Sequence, residues 1–377
     1  MQVLERPLGG PRPGAHAPDY KDAERHFASL VRLDRLDARV AARPALAREF
    51  EAALAFALEG AYGPRVSHGT DAARLFTQRV LYGVNRLKLF WYDDLSAYEN
   101  ERSAYLRGVR DRVEAAWQAW EAARVNTAAL GREPDVAAAL RRRAAEDVAP
   151  EPSADGLYFR ERAGEAGYRR LLAIASLDGL VEASQLSRTL GGASNRVHEV
   201  MTRLLVEEYG GGRLARKHSS FFTAMLEEFG MSAEPEFYFD AVPWEVLAAI
   251  NHSFLLSERK RFYLRYVGGL LYTEVSVPAG FENYRAAAER LGLSERARGY
   301  WELHIREDER HGRWMLEDVA LPLAGMYPKE AWELLLGYDQ QKLLSDRAGA
   351  AVARAAREAD AAAVSAVFDS AARGASA

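Results

Sequence analysis

The sequence of 377 residues contains no cysteine. This absence excludes disulfides, iron–sulfur clusters, thiolate zinc sites and a thiol nucleophile, and it fits a reducing compartment. The sequence also lacks an apolar run of membrane-spanning length and the apolar core of a signal peptide. The net charge is −4 with both signs interspersed, so no charge excess indicates a nucleic-acid or membrane partner. We therefore expect a soluble cytoplasmic protein.

Alternating patterns typical of β-strands are scarce. Ala, Leu, Arg and Glu dominate, and apolar residues recur at steps of three and four, as in helices with one buried face. Hydrophobic residues make up 49% of the chain, which is enough for a substantial core. We predict an all-α fold. Because Pro278 and Gly280 are helix breakers, residues 275–278 are expected to form a helix end or a loop.

Composition divides the chain into helical blocks separated by segments rich in proline, glycine or alanine. Pro150 and Pro152 mark the segment between the two main blocks. The predicted boundaries are a loose tail at 1–19, a helical region at 20–145, a linker at 146–156, a second helical domain at 157–347 and an Ala-rich helix and tail at 348–377.

The segment Trp301–Trp314, WELHIREDERHGRW, is the most unusual in the second block. His304, Asp308 and His311 are spaced i, i+4 and i+7, so a helix would place them on one face. Two imidazoles and a carboxylate on one stripe could bind a metal, with Glu307 as a supporting partner. A solvated charged face remains the alternative, because the segment is rich in Glu and Arg.

Other polar residues interrupt apolar segments. Glu207 and Glu208 end one apolar run, a run of three glycines follows, and His218 opens the next, so a helix break could let a glutamate and the histidine converge. An ordinary helix–turn–helix with exposed charges is the alternative. Glu274 follows a strongly apolar segment, and Glu182 lies in the apolar segment 171–190, which we predict to be one helix. A buried carboxylate needs a partner. Metal ligation and a salt bridge, for Glu274 with Arg259, Arg261 or Arg265, both remain open.

Carboxylates and imidazoles without thiolates suit iron or manganese, and the interior of a helical bundle commonly holds such metal pairs. A ferritin-like site would need two Glu-x-x-His motifs. The sequence has none, and Asp308-x-x-His311 comes nearest. Any such bundle must therefore be of another type. A heme oxygenase would need a proximal histidine on the first core helix, but the nearest candidate, His198, comes late in the chain.

The motifs EEYGGG, KHSSFF, LLYTEVSVPAGF and HIREDERH resemble the heme-oxygenase-like diiron oxidases and oxygenases, known broadly as iron-containing redox enzymes. The resemblance covers roughly residues 157–330. The Glu-x9-His spacing of Glu208 and His218 is similar to the N-oxygenase branch, which includes an enzyme of streptozotocin biosynthesis. That enzyme carries a C-terminal cupin domain, and this chain is expected to lack both the domain and its rearrangement chemistry. The metal ligands that the resemblance implies are Glu182, Glu208, His218, Glu274, His304, Asp308 and His311.

The resemblance also implies an activity. Two Fe(II) ions would react with O2 to form a peroxo-diferric species, with electrons from an external donor because no flavin or nicotinamide motif is evident. The expected reaction is hydroxylation of an amine nitrogen of a small molecule in specialised metabolism. Desaturation or C–C cleavage of a fatty or amino acid is the first alternative, and a non-catalytic helical binding protein is the second.

The helical region at 20–145 resembles, less specifically, a dimerisation region of the same branch. A homodimer is therefore expected. The aromatic patch Phe90-Trp91-Tyr92 in this region would either seal the dimer or fill the core.

Overall fold

The computed structural model describes residues 18–64, 69–89, 94–192 and 195–374. These residues form helices joined by turns and short 3-10 segments, and no strand occurs among them, which confirms the all-α prediction. No helix in these ranges combines the length and the apolar character that crossing a bilayer requires. The chain forms two compact units, divided between Arg124 and Val125. The aromatic patch at 90–92 lies outside the described residues.

The first unit is built from five helices around an aromatic core. The rings of Phe27 and Phe50 stack with centroids 5.0 Å apart, and the ring of Phe76 meets that of Phe50 edge-on at 6.3 Å. Trp117 is fully buried and donates a hydrogen bond to Glu121 at 2.9 Å. The helices are α1 (Tyr20–Val31), α2 (Leu36–Ala42), α3 (Arg48–Tyr62), α4 (Thr70–Leu89) and α5 (Ala104–Ala122).

The second unit contains the remaining twelve helices of the described residues. The first six are α6 (Thr127–Leu130), α7 (Val136–Asp147), α8 (Ala154–Glu161), α9 (Glu165–Gly179), α10 (Ser184–Ser187) and α11 (Arg196–Glu208). The other six are α12 (His218–Glu228), α13 (Trp244–Glu258), α14 (Tyr263–Arg290), α15 (Glu295–Trp314), α16 (Leu321–Met326) and α17 (Trp332–Gly374). A π-helical turn, Met315–Ala320, joins α15 to α16.

The division between the units comes earlier than residue 145, where we expected it. Helices α6 and α7 contribute Leu130 and Leu140 to the core of the second unit. Arg143 of α7 also pairs with Asp339 of α17 at 2.7 Å. The proline segment that was expected to link two domains therefore connects α7 and α8 within one unit. Helix α17 runs unbroken past residue 347, so no separate C-terminal helix begins there.

Helices α14 and α17 cross at unusually short range. A Cβ atom on Gly268 would lie 2.0 Å from the carbonyl oxygen of Leu334, and one on Gly337 would lie 1.9 Å from that of Arg265. Only glycine permits this approach. The crossing fixes the middle of α14, which carries Glu274, against the longest helix of the unit.

Two predicted helix boundaries were wrong. Helix α9 ends at Gly179, not near residue 190, because the chain turns and Ala183 adopts a left-handed φ of 63°. Pro278 does not end a helix, since α14 continues through it to Arg290. Packing of α14 against α15 and α17 offsets the hydrogen bond that proline removes.

Candidate metal centre

Helix α15 carries three of the predicted ligands on one buried face. The exposed fractions of His304, Asp308 and His311 are 4%, 3% and 0%. Ser294 caps this helix by accepting a hydrogen bond from the backbone N–H of Ala297. The stripe therefore points into the protein, and the solvated-face alternative does not hold for these three side chains.

The glycine run brings Glu208 and His218 together. Helix α11 ends at Glu208 and α12 begins at His218. Glycines 210–212 all have left-handed φ values, of 62°, 63° and 78°, which residues with a Cβ rarely adopt. The resulting loop places Nδ1 of His218 2.9 Å from Oε2 of Glu208. The predicted helix break is therefore confirmed.

Four of the predicted residues form a first cluster, which we call cluster 1: Glu182, Glu208, His218 and His304. Nε2 of His304 lies 2.9 Å from Oε1 of Glu182 and 3.2 Å from Nδ1 of His218. Tyr300 donates a hydrogen bond to the same Glu182 oxygen at 3.0 Å. The turn after α9, rather than a helix, carries Glu182 into this cluster.

A second cluster, cluster 2, contains Glu208, Asp308 and His311. Nδ1 of His311 faces Oε1 of Glu208 at 3.6 Å and Oδ1 of Asp308 at 3.5 Å. The carboxylate of Glu274 approaches the same nitrogen at 3.4 Å, so it belongs beside this cluster. All seven predicted residues thus converge, and Glu208 is shared by both clusters.

Several buried atoms of these clusters lack a hydrogen-bond partner: Oε2 of Glu182, Oδ1 of Asp308 and Nδ1 of His311. Buried polar atoms are rarely left unpaired, because the loss of hydration is costly. Carboxylates and imidazoles are ligands of iron and manganese. Two adjacent donor sets joined by one glutamate fit a pair of metal ions, and the donor chemistry suits iron.

In the metal-free site, burial and the neighbouring carboxylates shift the pKa values of the candidate ligands. Burial, together with the negative charge of Asp308, raises the pKa of Glu274 to about 7. Burial disfavours the charged form of His311, but the carboxylates of Asp308 and Glu274 outweigh it and raise the pKa to about 11. Glu182 likewise outweighs burial at His304, whose pKa rises to about 10. Without a metal, protons supply the positive charge that this site needs.

The backbone at Glu274 explains why this carboxylate is held so close to α15. Pro278 has no N–H, so the carbonyl of Glu274 lacks its usual intrahelical donor four residues later. A Cβ on Gly312 would lie 3.1 Å from that carbonyl oxygen. The two helices therefore approach closely at this point, and the Glu274 side chain lies beside His311.

Glu207, the neighbour of Glu208 that was not predicted to be a ligand, contacts the site from its outer side. Its Oε2 accepts a hydrogen bond from Nε2 of His311 at 2.9 Å and also pairs with Arg310. Glu307, the predicted supporting partner, pairs with Arg306 and Arg310 instead. Neighbouring glutamates on a helix point in different directions, and the sequence does not show which of the two faces His311. The role of Glu207 therefore required the structure.

Among the residues that the structure describes, no arginine forms a salt bridge with Glu274. Arg265 and Arg261 both pair with Glu333 of α17, at 2.6 Å and 3.4 Å. His252 is 1% exposed, and burial lowers its pKa to about 3, as expected for a histidine packed in the core.

A cavity of about 290 Å³ adjoins both clusters. Phe281 and Tyr300 line it, and the Phe281 ring lies 5.3 Å from that of His304. No lysine or arginine is among its lining residues in the described part of the chain. A larger cavity of about 1330 Å³ reaches Glu274 and Asp308 from the other side. A small molecule in the smaller cavity would lie directly against the candidate ligands.

The second unit therefore combines an all-α fold with two clusters of carboxylates and histidines that could hold metal ions. The family model of iron-containing redox enzymes matches residues 169–341. This match covers a little less than half of the chain. It agrees with the predicted heme-oxygenase-like fold class and with the expected oxidoreductase class.

A relative of known activity is similar to part of the chain. Nitrosourea synthase from Streptomyces achromogenes subsp. streptozoticus is 27% identical over 205 residues. The alignment covers 53% of this chain and 42% of the relative. The chain therefore matches less than half the length of this relative.

Proposed function

We propose that the protein is an O2-dependent non-heme diiron N-oxygenase that hydroxylates an amine nitrogen of a small molecule. The observation that carries the proposal is the sharing of Glu208 between two clusters of buried histidines and carboxylates. A single metal would not require seven inward-facing ligand side chains on five segments of chain. The similarity to a nitrosourea synthase supports the N-oxygenase assignment.

Each cluster would hold one iron ion. Glu182, His218 and His304 would bind one ion, and Asp308, His311 and Glu274 would bind the other, with Glu208 between them. Bound iron would supply the redox chemistry that activates O2. The protein fixes the ligands: Tyr300 holds Glu182 and Glu207 holds His311 through the hydrogen bonds described above.

Two cavities reach the site, and arginines and a lysine line the larger one. The smaller cavity, which adjoins both clusters, favours an amine over a fatty acid as substrate. Its volume of about 290 Å³ suits a small molecule, and its lining provides no lysine or arginine for a fatty-acid carboxylate. Five carboxylates line it instead: Asp178, Glu182, Glu208, Glu274 and Asp308. This lining favours a neutral or basic molecule over an anion.

In the proposed reaction one oxygen atom of O2 enters a new N–O bond, and the other leaves as water. Two electrons and two protons are consumed with each O2. The electrons must come from an external one-electron carrier or chemical reductant. The amine nitrogen must be uncharged when it reacts, because its lone pair forms the new bond.

A single-turnover experiment tests the reaction type. Fe(II)-loaded protein is mixed anaerobically with a panel of small amines and then exposed to 18O2, and the products are analysed by mass spectrometry. The proposal expects an amine that gains one 18O atom per turnover. His218→Ala, which removes a proposed iron ligand, should abolish the product.

Two outcomes contradict the proposal. A product that has lost two hydrogen atoms without gaining oxygen would indicate desaturation. Oxygen incorporation that persists in His218→Ala would place the reaction elsewhere in the protein.

A further inference from the structure

The cavity beside the metal clusters contains a carboxylate that neither cluster uses. Asp178, at the end of α9, lines the cavity and is exposed within it. Gln185, which is only 7% exposed, donates a hydrogen bond to it and so fixes its direction. Asp178 therefore lines the cavity in an orientation that the hydrogen bond from Gln185 holds.

Among the residues that the structure describes, no cation pairs with this carboxylate. Partial loss of hydration inside the cavity raises the pKa of Asp178 to about 6, and the negative charge of Glu182 adds to this rise. The nearby Lys217 donates a hydrogen bond to Ser219 at 2.8 Å and does not line the cavity. A carboxylate that lines a cavity and has no cationic partner attracts a positively charged ligand.

When two iron ions are bound, Asp178 is the one cavity carboxylate whose charge they would not neutralise. Of the five carboxylates that line the cavity, four belong to the candidate metal site. Two divalent ions would neutralise those four. One negative charge would then remain in the cavity, on Asp178.

We propose that Asp178 is the counter-ion for one positive charge on the substrate. This inference rests on the proposed function and narrows its substrate class. The substrate is a small molecule that carries one cationic group, bound by Asp178, and a second, uncharged amine nitrogen that faces the metal site. The cationic nitrogen cannot itself be oxidised while it is protonated, because it has no lone pair.

Three probes of equal length and different charge test the inference. Butylammonium, butanol and butyrate are titrated by calorimetry into anaerobic, Fe(II)-loaded full-length protein at pH 7.5. Butylammonium should bind at least about tenfold more tightly than the other two, as expected for a charge-assisted contact. Asp178→Asn should remove this preference without changing the iron content. Asp178→Glu should retain part of it.

Glu151→Gln is the matched control, because Glu151 lines only the larger cavity. It removes one negative charge from the protein and should leave the preference for butylammonium unchanged. If Glu151→Gln and Asp178→Asn reduced the preference for butylammonium equally, the overall negative charge of the protein, and not Asp178, would select the cation.

The remaining outcomes separate this inference from the proposed function. Protein that binds about two irons but shows no preference for butylammonium contradicts the inference alone. Loss of iron in Asp178→Asn makes Asp178 a ligand and also overturns the inference. Failure of the unmodified protein to bind iron contradicts the proposed function, and the inference fails with it.

Discussion

Glu207 accepts a hydrogen bond from Nε2 of His311 at 2.9 Å, while Nδ1 of the same ring faces the carboxylates of cluster 2. A histidine that binds a metal through one ring nitrogen usually donates a hydrogen bond from the other. The contact therefore selects the tautomer of His311 in which Nδ1 is free to bind iron. Glu207 is a positioning residue for the proposed site.

Replacing Glu207 should weaken the iron site next to His311. Glu207→Ala is expected to lower Fe(II) affinity there by about 10- to 100-fold, because the ring loses its orienting acceptor. Glu207→Gln keeps an acceptor oxygen and should therefore lose less Fe(II) affinity than Glu207→Ala. Fe(II) titration against a chelator of known affinity measures the change.

Glu307→Ala is the matched control for this experiment. Glu307 pairs with the same arginine, Arg310, but forms no hydrogen bond with His311. Its replacement should leave iron affinity within about twofold of the unmodified protein. Equal losses from the two alanine variants would show that the Arg310 ion pairs, and not the His311 contact, hold the site.

Iron binding should tighten as the pH rises. In the metal-free protein the pKa values of His304 and His311 are raised to about 10 and about 11, so both rings carry a proton at neutral pH. Iron must displace these protons, and each one released strengthens the apparent affinity by about tenfold per pH unit. Chelator competition at pH 6.5, 7.0 and 7.5 should show this dependence.

The variant His311→Ala provides the comparison for the pH series. It removes one of the displaced protons, so the remaining iron should bind with a shallower dependence on pH. An affinity that does not change with pH in the unmodified protein would contradict proton displacement by the metal.

Metal-free protein should lose stability in alkaline solution. The folded-state pKa of both histidines lies above the ordinary value, so their contribution is present below about pH 6.5 and disappears as the pH rises through about 10. Thermal unfolding of metal-free protein between pH 7 and pH 10 tests this direction. Saturating iron should remove most of the dependence.

The α14–α17 crossing should not tolerate a methyl group. Gly337→Ala is expected to destabilise the second unit by about 1–3 kcal/mol, because its Cβ would overlap the carbonyl of Arg265. Gly349→Ala lies on the same helix, with no atom within 4 Å of the added Cβ, and should be neutral or stabilising. Chemical denaturation of both variants measures the difference.

Much of the candidate site could be predicted from local sequence. The i, i+4, i+7 spacing of His304, Asp308 and His311 is preserved because an uninterrupted helix carries them. The glycine run between Glu208 and His218 breaks the helix as its composition indicates. Such features depend on a few neighbouring residues.

Features that depend on packing were predicted less well. Apolar composition suggested one helix through residue 190, but Glu182 lies on a turn whose backbone is held by the surrounding structure. Pro278 remains inside α14 because neighbouring helices hold that segment. The contact of Glu207 with His311 joins residues that are distant in sequence.

In the proposed site, two clusters that share Glu208 each hold one iron ion. Anaerobic titration of metal-free protein with 57Fe(II), followed by Mössbauer spectroscopy, tests it most directly. We expect about two irons per chain in the unmodified protein, with clear loss in His218→Ala and in His311→Ala. Iron uptake of about one per chain or less, unchanged by either variant, would contradict the claim.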